Sequence, residues 1–224
     1  MVEGLFFAAA LLAALFALAL LQRYRERRAP FYLWWAISFG LYTVAYLAEA
    51  TTVRSQWTVF AYQLYVIASA TLVGAMSVGT TYLAFSKRVG RIYATLIVLL
   101  AGVLTISVFS TPPVIHGSWL ALNGGKGGIV GLTQVVYIIM ASVGGTIVLV
   151  GALWSWWKTQ RYYNLLIAAG ALAAGVGGTL ASQGVALSIL PVMNIVGLVL
   201  IFLGYVYSRS SQQGRSSTKV AKGA

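Results

Sequence analysis

The chain has no cysteine, no aspartate, one histidine (His116) and three acidic residues in all, Glu3, Glu26 and Glu49. Without cysteine there is no disulfide, no thiolate nucleophile and no cysteine-ligated metal. Metal-dependent hydrolases draw on clusters of His and carboxylates, and bis-histidine haem needs paired imidazoles within the helices. Neither set is available here, so no enzyme activity, metal or cofactor is expected. Proline is scarce as well. Pro30 and Pro191 stand at the starts of apolar runs, and Pro112 and Pro113 lie in a connecting segment, so no run is interrupted in its middle.

What the chain has is apolar length. Of its 224 residues 60% are hydrophobic and 8% charged, and the mean hydropathy is +0.87. Runs of about 20 apolar residues recur throughout, each long enough as a helix to cross the hydrocarbon core of a bilayer. Alternating segments of about ten residues are missing, so a β-barrel is not expected. The fold class expected is an all-α integral membrane protein, a seven-transmembrane-helix bundle over residues 1–207. The spans fall near 2–21, 31–50, 58–85, 92–110, 129–154, 162–183 and 189–207, and a disordered basic tail follows at 208–224. The first run is read as a retained helix rather than a signal peptide, because its charges follow the apolar stretch instead of preceding it.

The net charge of +12 would suggest nucleic acid in a soluble protein, but here it flanks membrane helices. With the N-terminus outside, 13 of the 15 Lys and Arg residues fall on inner segments and only Arg54 and Lys126 on outer ones. That asymmetry predicts an external N-terminus and a cytoplasmic C-terminus; the expected location is a plasma membrane, bacterial or archaeal, and no nucleic-acid partner is expected. Gln22–Pro30, QRYRERRAP, is read as a basic inner loop. Trp34, Trp35, Trp154, Trp156, Trp157, Tyr162 and Tyr163 are read as an inner aromatic belt, and Trp57 and Trp119 as an outer one. Thr111–Gly128 is the longest loop, with a turn signal at Asn123–Gly124.

Gly170, Ala174 and Gly178 recur every four residues in the sixth run, as do Ala171 and Gly175. Such rows let helix backbones approach closely, in a central helix or at a homodimer seam. Uncharged polar residues gather at the outer ends of the runs. Tyr42, Tyr46 and Glu49 are spaced by 4 and 3 and share one helix face. Tyr62 and Gln63 open the third run, Gln134 and Tyr137 the fifth; Ser182 closes the sixth and Asn194 opens the seventh. Polar groups at that depth face a bundle interior, where lipid is replaced by partners. They are expected to line an outward-opening pocket in which Glu49 is the charged member. The competing reading pairs Glu49 with Arg54 or with headgroups and treats Gln and Asn as interhelical glue.

The topology resembles that of the rhodopsins, which implies a retinal-bearing lysine in the last helix. No lysine lies within a run here, so covalent retinal is set aside. The runs FYLWWAISFGLYTVAYLAEA and SQWTVFAYQLYVIASATLVGAMSVGTTYLAF resemble the seven-helix sensor region found ahead of bacterial histidine kinases. The shared features are Trp34 and Trp35 opening the second helix, Tyr46-Leu47-Ala48-Glu49 closing it, Trp57 in a short outer loop and the Tyr62-Gln63 pair. GALAAGVGGTLASQG and ILPVMNIVGLVLIFLGYVYSR fit the same pattern. The resemblance implies a module that senses a small molecule or lipid, and with no output domain after Tyr207 it implies signalling through a membrane partner. A small-solute transporter or channel and a structural subunit of a membrane complex remain open beside it.

Overall fold

The computed structural model describes residues 2–52, 56–115, 128–182 and 192–207, with the backbone alone at positions 2, 178, 179, 181 and 182. Among these residues there are seven α-helices and no strand. They are α1 (Val2–Arg27), α2 (Pro30–Thr52), α3 (Val59–Ala84), α4 (Lys87–Ser110), α5 (Gly131–Thr159), α6 (Tyr162–Ser182) and α7 (Val192–Tyr207). The first five are long and apolar enough to cross a membrane. Their outer faces are apolar too: Leu11, Leu18, Ile92, Leu99 and Ile106 are each more than 60% exposed. Such a surface suits lipid and would not suit water. The described residues are thus all-helical wherever they are regular, and their several long apolar helices are compatible with a multi-pass membrane protein.

Several helices outlast the apolar runs. The stretch read as a basic loop is mostly helix, because α1 continues through Arg27. Apolar character stops at Leu21, but Gln, Arg and Glu are good helix formers, and every further turn satisfies backbone groups that would otherwise need partners. An exposed Arg23–Glu26 ion pair of 2.9 Å spans one turn there. The break is two residues wide. Arg28 takes a left-handed φ of 50°, its N–H bonds to Tyr24 O, and Pro30 opens α2 in the position where a missing N–H costs nothing. In the same way α4 begins at Lys87, five residues ahead of the apolar run, capped by Ser86 Oγ accepting from Val89 N.

Each helix packs on its neighbours through contacts the sequence explains. On α1, Phe6, Ala9, Ala10, Ala13, Phe16 and Leu20 form one buried face against α2. Helices α2 and α3 are joined by Trp35 Nε1, which donates to Met76 O, and by Ser38 Oγ, which donates to Leu72 O at 2.7 Å. Gly79 leaves room for the Trp35 indole, with which a side chain there would collide. Helix α3 carries the most buried residues and contacts α2, α4 and α5. Among the described residues, central position therefore belongs to α3 rather than to α6. The small residues of α6 act at one seam instead: Gly170 faces Gly197 of α7 backbone to backbone. Phe202 and Tyr205 of α7 then pack on Phe16 of α1, with ring centroids 5.1 and 4.9 Å away. The last helix thereby returns to the first.

The aromatic belts are only partly at the surface. Trp154 and Trp157 are more than half exposed, but Trp35 and Trp57 are buried in the bundle. Trp119 and the Asn123–Gly124 turn lie outside the described residues, as does the tail at 208–224.

Candidate functional site

The C-terminal half of α2 and the N-terminal half of α3 each carry an aromatic group, and Tyr137 of α5 lies between Glu49 and Tyr62. Along α2 the rings of Phe39, Tyr42 and Tyr46 stack in succession, with centroids 5.8 and 5.4 Å apart. The spacing of 3 and 4 residues that puts them on one face makes the stack. Phe6 of α1 backs Tyr46. Before α3, Trp57 sits against Tyr62 and Tyr65 at 5.4 and 5.3 Å. Thr58 fixes this corner, since its hydroxyl caps α3 by accepting from Ala61 N. At the other side, Gly128 lies on the Tyr62 ring, and Val114 N donates to Gly128 O. The two ends of the long loop are thus tied together over Tyr62.

Glu49 is 2% exposed at the end of the α2 stack. Its carboxyl lies within electrostatic range of the Tyr42, Tyr46 and Tyr137 hydroxyls. Tyr137 comes from α5 and is positioned by Ser69 of α3, whose Oγ donates to the phenol oxygen across 3.4 Å. Tyr46 is 2% exposed, and its hydroxyl has no hydrogen-bond partner among the described residues. A phenol buried this way forgoes hydration without recovering a bond, which costs on the order of 1–3 kcal/mol.

Of the nine residues read from the sequence as pocket-lining, five gather here: Tyr42, Tyr46, Glu49, Tyr62 and Tyr137. Gln63 is buried but turns to α4, its Nε2 donating to Val108 O at 3.1 Å. It is interhelical glue. Gln134 is exposed on α5. The buried face of that helix runs through Thr133, Val136 and Met140, and one residue further turns a side chain about 100° away from it. Asn194 is half-buried near the start of α7. Ser182 is the last residue of α6, with its side chain outside the described atoms. His116, Arg54 and Lys126 also lie outside the described residues.

Sequence reasoning counts Tyr65 among the outer-end tyrosines of the third run without assigning it to the site, and passes over Trp57 and Ser69 as site residues. Helical spacing carries the signal for two of them, because Tyr62, Tyr65 and Ser69 follow one face of α3 at steps of 3 and 4. It also passed over the buried Ser107–Thr133 pair, 2.6 Å apart, which joins α4 to α5 below the loop. Chemically the cluster offers one carboxyl group, several phenols and aromatic faces. Among the described residues no three His, Cys, Asp or Glu side chains converge. The arrangement suits hydrogen bonding to a polar or cationic group, or holding a proton.

No protein-family model matches the chain, and neither the curated proteins nor the solved structures contain a significant match.

Proposed function

We propose that the chain is a seven-span, non-enzymatic membrane module that binds a small polar molecule or lipid at the Glu49–tyrosine cluster. Bound ligand rearranges α2 against α3, and the change passes to a membrane partner or a second copy of the chain. The N-terminus faces out and the C-terminus faces the cytoplasm, on the strength of the 13-to-2 division of Lys and Arg. In this topology α6 and α7 complete the seven spans, and the cluster lies toward the outer face. The resemblance to the sensor region of bacterial histidine kinases points the same way.

The observation that carries the reading is the buried Tyr46 hydroxyl, which has no partner among the described residues, one helical turn from the buried Glu49. A buried polar group left unsatisfied by folding calls for an explanation, and a bound ligand supplies one. A ligand bearing a hydroxyl, amine or headgroup would bond to Tyr46 and Glu49 together.

The test is thermal unfolding of the purified protein in detergent against a panel of small solutes and lipids, for wild type, Glu49→Gln and Tyr46→Phe. Binding to the folded state raises the melting temperature by mass action, by the equivalent of about 2.7 kcal/mol at a hundredfold excess over Kd. A compound that stabilises wild type and neither variant is the expected result. Uptake of that compound into proteoliposomes would make the chain a transporter instead. Equal shifts in all three proteins would remove the cluster from the reading.

A further inference from the structure

A cavity of about 270 Å³ lies at the opposite, basic end of the bundle, far along α2, α3 and α5 from Glu49. Its floor is buried and mostly apolar: Trp35 of α2, Val148 and Ala152 of α5, and Ile167 of α6. Its mouth carries Leu83 and Trp154, both more than half exposed. These large apolar side chains belong to the lipid-facing surface of α3 and α5, so the cavity opens toward lipid and not only toward water.

The lining changes character along α5. Val148 and Ala152 are apolar, Ser155 is polar, and Lys158 and Thr159 stand at the exposed end. From Val148 to Lys158 the helix rises about 15 Å. An apolar slot that grades into one cation over that length matches a molecule with a hydrocarbon chain and an anionic head. The walls are fixed in advance. The Trp35 indole is held by its bond to Met76 O, and the absence of a side chain at Gly151 lets α5 close on Thr80. On the α6 side the buried Asn164 is held by donating from Nδ2 to Thr159 Oγ1 at 3.1 Å. A pre-formed pocket near the small end of the usual range of roughly 300–1,000 Å³ accommodates one acyl chain rather than a whole lipid.

We infer that this cavity binds an anionic phospholipid from the leaflet at the basic end of the bundle. One acyl chain enters between α3 and α5 past Leu83 and Trp154, and the phosphate meets Lys158. The inference is independent of the Glu49 cluster. The same chemistry, an anion on an alkyl chain, also describes a free single-chain amphiphile. The lipid is favoured because the mouth is flanked by bilayer-facing side chains.

The experiment compares binding of short-chain phosphatidylglycerol, phosphatidylcholine with the same chains, decyl phosphate and inorganic phosphate to the full chain. The readouts are native mass spectrometry and thermal shift in detergent. Phosphatidylglycerol should bind with one tight site and about fivefold better than phosphatidylcholine, the worth of one Lys–headgroup interaction. Lys158→Gln should erase that preference, and its side chain is exposed, so folding is not at stake. Ala152→Leu, which fills the floor, should weaken both lipids. Arg91→Gln, at the same end but outside the lining, should leave the preference intact. Equal binding of the two lipids by wild type, or a preference that survives Lys158→Gln, would overturn the inference. So would inorganic phosphate acting alone, which would make it an ion site, or decyl phosphate outcompeting phosphatidylglycerol, which would make the occupant a free amphiphile.

Discussion

Replacing Gly170 with alanine tests the close approach of α6 and α7. A Cβ at Gly170 would lie 2.6 Å from Gly197 O, 2.7 Å from Ile201 Cγ1 and 3.1 Å from Ile201 N. Two of those three neighbours are backbone atoms, which cannot rotate aside. Restoring an ordinary contact with the carbonyl oxygen requires the helices to part by about 0.8 Å, and a gap of that size forfeits a quarter to a half of each affected contact. Overpacking of this kind costs about 1–3 kcal/mol, while alanine regains about 1 kcal/mol of helix propensity. With backbone on the receiving side the cost falls at the upper end, for a net loss of about 2 kcal/mol. For a chain of this size that corresponds to a melting temperature lower by about 4–8 °C. Gly145→Ala is the control, since a Cβ there meets nothing within 4 Å; it should leave stability unchanged or raise it. Gly197→Ala pushes on the same seam, from 2.7 Å against Gly170 O. Once one substitution has parted the helices, the other has less to displace, so the double variant should fall short of additivity by about 1 kcal/mol. Thermal unfolding followed by tryptophan fluorescence reads all four proteins. A Gly170→Ala variant as stable as Gly145→Ala, or strict additivity of the pair, would refute the seam.

Two further outcomes follow from single positions. Gly131 opens α5 with φ of +60° and open space around it; Gly131→Ala should therefore cost only the left-handed conformation, about 1–2 kcal/mol by chemical unfolding. Thr133→Val strands the buried Ser107 hydroxyl and should cost about 1–2 kcal/mol, whereas adding Ser107→Ala should cost little more, because the pair acts as one unit in a double-mutant cycle.

The membrane character was legible from the sequence because it depends on composition over windows of about 20 residues, and averages over such windows do not need a partner to be known. Helix ends were less legible. Hydropathy ended α1 at Leu21, whereas backbone hydrogen bonding carries it to Arg27. The tyrosine–glutamate face of α2 could be read from periodicity alone, because residues spaced by 3 and 4 share a face whatever they pack against. Gln63 and Gln134 show where that logic stops. Both are polar and near a helix end, yet one bonds to α4 and the other faces out. Depth along a helix follows from residue number, but the direction a side chain points is set by rotation about the helix axis, and that is chosen by the neighbours.

Sequence by itself determined that this chain is helical and apolar-surfaced, that its cations concentrate on alternate segments, and that Tyr42, Tyr46 and Glu49 lie together. These follow from local composition and from the 3.6-residue period. Only the tertiary structure decided that α3 is the central helix, that α7 returns to α1, that Trp35 and Trp57 are buried, and that a cavity ending at Lys158 lies between α3, α5 and α6. Each of these depends on which helices meet and at what rotation. Those are properties of pairs far apart in the chain, and the free energy that selects them comes from packing, not from any one segment.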